Sequence, residues 1–232
     1  MGTEKCPICG GQSFGEFAGR PRAKCLSCHS LERGRVVHLT LQKLGLPRKE
    51  DKILHFAPEI CFINLFTSTH EENYQPCDLF PDIYKNSKKE VKRIDICEDL
   101  YSMPSSSWDL IIHNHVLEHL LCSVRGVLRG FDRILKPGGT MIFTIPIHRG
   151  KETIEDLNPG LSELERRKRF GQKDHVRLFG DDVTDLIAES LGKDCFIPVS
   201  TLFTEEEFLL HAIPWEPSKE PHGHSIFVYR KT

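Results

Sequence analysis

No apolar run in this 232-residue chain reaches the roughly 18–20 residues that a helix needs to cross a bilayer. The opening residues, Met1-Gly2-Thr3-Glu4-Lys5-Cys6-Pro7, lack the apolar stretch of a secretory leader. The expectation is therefore a cytoplasmic protein without membrane association. A basic excess is also missing. The 31 Lys and Arg face 33 Asp and Glu, for a formal net charge of −2. A domain that binds duplex nucleic acid usually shows a basic surplus or stripe. The densest cluster, Glu165-Arg166-Arg167-Lys168-Arg169, is short and contains an acid. The charge balance thus weighs against a nucleic-acid partner. No internal repeat or low-complexity segment stands out. With 39% hydrophobic and 28% charged residues, the chain can bury one full core plus a small appendage, but not two large ones.

Cysteine, in contrast, is abundant: nine residues, an odd number. In a reducing compartment a disulfide framework is not expected, so spacing must assign them. Cys6-Pro7-Ile8-Cys9 and Cys25-Leu26-Ser27-Cys28 are two C-x-x-C pairs separated by fifteen residues. Four thiolates match the tetrahedral demand of zinc. Gly10 can take the left-handed conformation that such a turn needs. His29 is an alternative to Cys28, but the spacing favours Cys28. The segment between the pairs has little apolar material, so metal binding would be part of its folding. Four protein ligands leave no open position, which makes the site structural. Cys61, Cys77, Cys97, Cys122 and Cys195 stand alone and read as small buried hydrophobes.

Beyond residue 30, strand and helix patterns alternate. Ser30 is a plausible cap for a helix over about 31–44, with Val37, Leu41 and Leu44 on one face. Strands are expected at 52–57, 74–78, 91–96, 109–113 and 140–147. A long helix is expected from about 117 to 135, ending at Lys136-Pro137-Gly138-Gly139. The stretch 152–177 reads as a loop or cap with one short helix. Asp181 would cap a further helix, and 195–200 with 225–230 would form a final antiparallel pair. Such alternation predicts an α/β fold, a doubly wound and mostly parallel sheet covered on both faces. Ligands in such sheets bind at the carboxyl ends of the strands.

The loop after the first of these strands, His55-Phe56-Ala57-Pro58-Glu59, lacks the glycine triplet of a dinucleotide site and any Walker lysine. Asp78 ends the second strand, where an acid commonly accepts from a ribose diol. Asp95 ends the third, where a carboxylate can meet an adenine amino group. Both acids can instead serve as caps.

Three stretches now carry a resemblance. Trp108-Asp109-Leu110-Ile111-Ile112, then Asn114-His115-Val116-Leu117-Glu118-His119, then Arg133-Ile134-Leu135-Lys136-Pro137-Gly138-Gly139 resemble class I S-adenosylmethionine-dependent methyltransferases. More narrowly, the chain resembles a largely bacterial group of zinc-knuckle methyltransferases. That group has a C-P-x-C-G start, a S-L-E-R-x-R helix (Ser30 to Arg35) and an H-F-A-P-E first loop. It also has an F-G-Q-x-D-H-V-R-x-x-G segment (Phe170 to Gly180). The match runs from Cys6 to about Gly192. It implies a Rossmann-like methyltransferase fold with a zinc knuckle at 1–30 and the methyltransferase domain at 31–232. Residues 150–180 would cap the acceptor side. It also implies cofactor contacts. His55, Phe56, Ala57 and Glu59 would lie at the methionine moiety, where the wider superfamily has an acid and glycines. Asp78 and Leu79 would hold the ribose, and Asp95 and Ile96 the adenine. Asn114 and His115 would floor the cofactor beside the transferred methyl.

The sulfonium already activates the methyl group, so the protein must align a nucleophile and remove any proton on it. His115, His148 and His175 are candidate bases. Arg166, Arg169, Gln172, His175 and Arg177 can hold an anionic acceptor. His119 reads as a packing or capping residue. The expected function is methyl transfer from S-adenosylmethionine to a small or sugar-like acceptor. One alternative is an RNA or protein methyltransferase whose knuckle docks the polymer. Another is a non-catalytic zinc module on an inactive fold. The acidic balance weighs against RNA, and the intact cofactor loops weigh against the last reading. Neither fold nor zinc identifies the acceptor.

Overall fold

The computed structural model describes residues 4–232. Strands Phe14–Phe17 (β1) and Arg20–Cys25 (β2) form an antiparallel ribbon between the two cysteine pairs. Helix Glu32–Lys43 (α1) follows. Strand Ile53–Phe56 (β3), helix Ile60–His70 (α2), strands Tyr74–Asp78 (β4) and Lys92–Arg93 (β5), and helix Ile96–Asp99 (α3) make the first half of the main unit. Strand Trp108–Asn114 (β6), helix Val124–Ile134 (α4) and strand Leu135–Thr144 (β7) begin the second half. Strand Ile154–Glu155 (β8), helix Glu163–Phe170 (α5) and strand Arg177–Leu178 (β9) form an excursion, because β8 and β9 pair only with each other. Helix Val183–Leu191 (α6), strand Phe196–Ile197 (β10), helix Glu205–Leu210 (α7) and strand Ile226–Arg230 (β11) complete the chain.

The main sheet has seven strands in the order β10-β11-β7-β6-β3-β4-β5. The five from β7 to β5 are parallel, while β11 runs antiparallel to β7 and the edge strand β10 antiparallel to β11. Alternation along the strands divides two cores. Leu54, Phe56, Ile111 and Phe143 pack with Val127, Leu128 and Phe131 of α4. Ile53, Leu110, Ile112 and Ile142 pack with Val36 and Val37 of α1 and Phe62 and Phe66 of α2. The chain leaves β3 toward β4 and β5, then returns to β6 on the opposite side of β3. The switch point therefore lies between β3 and β6, and the crevice in which such sheets take their ligands is the one outside the carboxyl ends of these two strands.

Several local expectations are corrected. Ser30 does not cap α1: Leu31 takes that position with no side-chain cap, and the Ser30 hydroxyl lies beside Cys6 and Cys28 instead. Leu44 falls beyond the helix and is 39% exposed. The third strand is reduced to Lys92–Arg93, because Asp95 accepts from the Cys97 amide and starts α3. The helix expected over 117–135 is two pieces, a single 3-10 turn at Leu117–His119 and then α4. Ser123 takes the break: its hydroxyl accepts from the Gly126 amide at 3.3 Å, and serine is a strong cap. Leu135 already belongs to β7, so Lys136-Pro137-Gly138-Gly139 is a bulged strand start. Asp181 accepts from the Gly150 amide, and Asp182 precedes α6. Cys97 and Cys122 are joined in a disulfide. This overturns their reading as lone buried thiols.

Gly180 shows why the F-G-Q-x-D-H-V-R-x-x-G segment ends in glycine. A Cβ there would lie 2.6 Å from the Glu152 carbonyl carbon, because the loop backbone at Lys151 and Glu152, just before β8, passes directly over it.

Candidate functional site

The four knuckle sulfurs converge. Cys6 and Cys28 lie 3.6 Å apart, as do Cys9 and Cys25, and all four fall within 4.8 Å of one another. A tetrahedron with zinc–sulfur bonds of 2.3 Å has edges of about 3.8 Å, so the residues fit a zinc ion. Each C-x-x-C turn closes in the same way. The Gly10 amide bonds the Cys6 carbonyl and the His29 amide bonds the Cys25 carbonyl, and both residues have positive φ. His29 thus completes a turn, leaving the thiolates as the ligand set.

The knuckle is docked, not pendant. Arg20 of β2 forms a paired contact with Glu32 at 3.0 and 3.2 Å. Arg35 is fully buried and donates to the carbonyls of Ala23, Ser30, His211 and Ala212. The Lys5 amide and carbonyl meet Leu210 and His211. The boundary expected near residue 30 is therefore crossed by buried polar contacts. They fix the start of α1, whose Arg33 turns toward the crevice.

At the switch point, Asn114 donates its amide to Glu59 across the carboxyl ends of β6 and β3 at 3.4 Å. Arg33 stands 3.6 Å from the other Glu59 oxygen. Arg33 Nε and Glu59 Oε1 are buried and have no hydrogen-bond partner among the described residues. Ala57 and His115, the first residues past β3 and β6, both have positive φ (46° and 53°). Non-glycine residues rarely adopt that conformation, and it concentrates at functional turns. His115 is largely withdrawn from water. Its Nε2 meets the Gly223 carbonyl at 3.1 Å, and its Nδ1 lies 3.6 Å from Glu118. Burial pushes its pKa down to about 3.

The remaining expected cofactor residues ring the same edge. Asp78 at the end of β4 accepts from the Phe80 amide and the Tyr84 hydroxyl, each at 2.8 Å. Leu79 is exposed beside it. Asp95 and buried Ile96 stand where β5 turns into α3. His55 is completely buried between Tyr74 and Phe62, with a pKa pushed to about 3 by burial and by His113. Phe56 belongs to the core under α4. These two support the floor of the crevice from within.

Two sequence motifs meet here. The Val176 amide donates to the Glu118 carbonyl at 3.0 Å. Arg177 donates to the Leu117 and Cys122 carbonyls and pairs with Glu155. Asp174 faces His119 at 3.4 Å. The D-H-V-R segment is thus laid along the V-L-E-H turn, and it carries the 150–180 excursion over the carboxyl edge. Arg166 and Arg177 are buried, and both commit donors to main-chain carbonyls. They act as braces of this wall, not as free cations. Arg169 pairs with Asp156. His175 faces inward and Gln172 is exposed. His148 lies on the strand extension beside Phe179, where its amide bonds the Phe179 carbonyl. Of the three candidate bases, His115 stands over the crevice and His175 stands behind Glu118.

Arg33, Glu118 and Gly223 received no role from sequence reasoning. Arg33 and Glu118 lie within motifs already visible, S-L-E-R-x-R and V-L-E-H. Gly223 carries no local signal. A surface cleft between Leu46, Arg48, Asp109, Gly138 and Arg230 lies at the opposite, amino-terminal ends of the strands and does not belong to this site.

Residues 62–143 match the family model of a methyltransferase domain. This part of the chain is similar to a methyltransferase domain. The structure is similar to an S-adenosylmethionine-dependent methyltransferase from Mesorhizobium loti, with 14% identity and a TM-score of 0.52 over 84% of this chain and 98% of that one. Another from Archaeoglobus fulgidus shows 16% identity and a TM-score of 0.49 over 86% and 94%. Curated proteins include no match to the chain. For the methyltransferase domain, the donor set at the crevice fits S-adenosylmethionine. The Asp78 carboxylate keeps lone pairs for a diol, and the orphaned Arg33 and Glu59 atoms can meet the amino-acid end.

Proposed function

We propose that the protein moves a methyl group from S-adenosylmethionine to a small, polar acceptor, with the knuckle as a zinc-stapled support. The observation that carries this reading is the Asn114–Glu59 contact across the carboxyl ends of β6 and β3, at the switch point of a sheet whose residues 62–143 match a methyltransferase domain. The cofactor supplies an already activated methyl group. Glu59, Asp78, Asp95 and Asn114 would orient it. His115, past the carboxyl end of β6, would lie beside a reacting oxygen or nitrogen. The braced wall from 154 to 178 encloses the acceptor side and favours a small molecule over a polymer.

Calorimetric titration with S-adenosylhomocysteine tests the reading. The parent should bind, and Asp78→Asn should bind at least about tenfold more weakly, the loss of roughly one charge-assisted hydrogen bond. Absence of binding to the parent would overturn the reading. Equal affinity in the variant would remove Asp78 from the site. Transfer of labelled methyl groups into pools of sugars and small hydroxylated acids then identifies the acceptor.

A further inference from the structure

We propose that Glu118, His119 and His175 form a second metal site, separate from the cysteine cluster, that takes a divalent first-row cation. One ligand atom from each residue lies within 4.8 Å of the others. Glu118 is 1% exposed, and neither of its carboxylate oxygens has a hydrogen-bond partner among the described residues. An unpaired buried carboxylate is costly. Its nearest polar neighbours are imidazoles, His115 at 3.6 Å and His119 at 3.8 Å. Arg177 is close, but its donors are committed to Leu117, Cys122 and Glu155. Arg33 is turned to Glu59. A cation among these groups satisfies the carboxylate where no protein donor does.

The histidines are oriented as metal ligands usually are. His119 directs Nε2 at Glu118 and the opposite Nδ1 at Asp174, 3.4 Å away. A carboxylate behind a ligating imidazole fixes its ring and its tautomer. The His175 ring stands edge-on to His119, with centroids 4.7 Å apart. The two backbones are held in register by the Val176 to Glu118 bond, and the Cys97–Cys122 disulfide anchors the far end of the turn. The site is therefore built before any ion arrives.

Two imidazoles and one carboxylate suit zinc, iron, cobalt or nickel, whereas magnesium and calcium prefer all-oxygen shells. Three protein ligands leave positions open. His115 adjoins the same carboxylate, so those positions border the crevice. A hydroxyl oxygen bound there would be made more acidic. Its proton would leave to water as the new oxygen–methyl bond forms and the sulfonium–methyl bond breaks, giving the thioether. That last step alone rests on the methyl-transfer reading.

The test is a metal count on the full chain, equilibrated with zinc and then cobalt(II) and desalted. The parent should carry two metal ions. The second should show a visible cobalt spectrum without thiolate-to-metal charge transfer. E118Q and His175→Ala should each retain only the cysteine-bound ion, and Asp174→Asn should weaken cobalt affinity by roughly 10–100-fold. Cys6→Ser should show the reverse pattern, keeping cobalt at the new site. A parent with a single ion, or E118Q with both, would overturn the proposal. If His175→Ala fails to fold, the parent count and the isosteric E118Q still decide. Binding of S-adenosylhomocysteine, measured separately, reports on the cofactor reading and not on this one.

Discussion

Arg35 donates to the Ala212 carbonyl at 2.7 Å, across a sequence separation of 177 residues. The same guanidinium bonds Ala23 and Ser30 of the knuckle region and His211 beside Ala212. One side chain therefore joins the first turn of α1, the metal ribbon and the segment after α7. Replacing it leaves four carbonyls without that donor. Arg35→Met is expected to lower unfolding stability by roughly 2–4 kcal/mol, at the cost of unsatisfied buried acceptors. Arg35→Lys should recover little, because a point charge cannot serve four directions. Urea unfolding measures both. A loss below about 1 kcal/mol in the methionine variant would show that the brace is dispensable.

The knuckle itself should depend on its ion. Ile8 is the one apolar side chain of the first C-x-x-C turn packed against the neighbouring core, and the Lys5, Arg20 and Arg35 contacts dock the ribbon without closing the turns on each other. Cys6→Ser is expected to lose one zinc equivalent and to expose the first 30 residues to protease. Zinc content by elemental analysis and the pattern of limited proteolysis check this. A variant with parental zinc and parental cleavage would mean that the thiolates are not the ligands.

The disulfide closes a loop with a sequence separation of 25 residues. Chain-entropy arguments give about 3 kcal/mol for a loop of that size. Reductant should therefore lower the melting temperature by several degrees, on the order of 2–4 °C per kcal/mol for a chain of this length. A Cys97→Ala, Cys122→Ala double variant should start lower and not respond to reductant. Equal response in parent and double variant would place the effect at other cysteines.

The large features of the fold were legible because their signals are local. Apolar runs such as Ile53 to Phe56 and Leu110 to Ile112 marked buried strands, and the C-x-x-C spacing marked the four sulfurs that converge. The errors arose where a tertiary partner competes with local pattern. The 117–135 stretch reads as one helix, but Ser123 caps and the Cys122 bond breaks it there. Arg177 reads as a free cation because its carbonyl partners, Leu117 and Cys122, lie 60 and 55 residues away, and Arg166 does so because its partners Asn158, Leu161 and His175 lie in the irregular chain on either side of α5. Glu118 read as part of a helix start. His115 and His119 are its local neighbours, and only the approach of His175 from the far end of the excursion completes the cluster. Fold class thus follows from periodicity, whereas the composition of the site depends on which loops meet.

Acid should destabilise the protein through two histidines in the sheet. His113 is fully buried, stacked on Phe143 with ring centroids 4.6 Å apart and close to Phe131 at 5.2 Å. Neither ring nitrogen has a hydrogen-bond partner among the described residues. Burial pushes its pKa down to about 3, and His55 is held at about 3 by burial and by His113. In the unfolded chain both rings bind a proton near pH 6.5. Below that pH the unfolded state takes up protons that the folded state refuses, so stability falls as pH falls from about 6.5 toward 3. Above about 6.5 neither state is charged, and these rings add no pH dependence. The slope is up to about 1.4 kcal/mol per pH unit for each ring. His113→Phe keeps an aromatic between Phe131 and Phe143 and removes one of the two protonations. Its unfolding midpoint in urea should therefore gain on the parent as pH is lowered from about 7 to about 5, by roughly 1–2 kcal/mol, while staying near the parent above neutrality. Curves that remain parallel over that window would show that His113 is not held neutral in the fold.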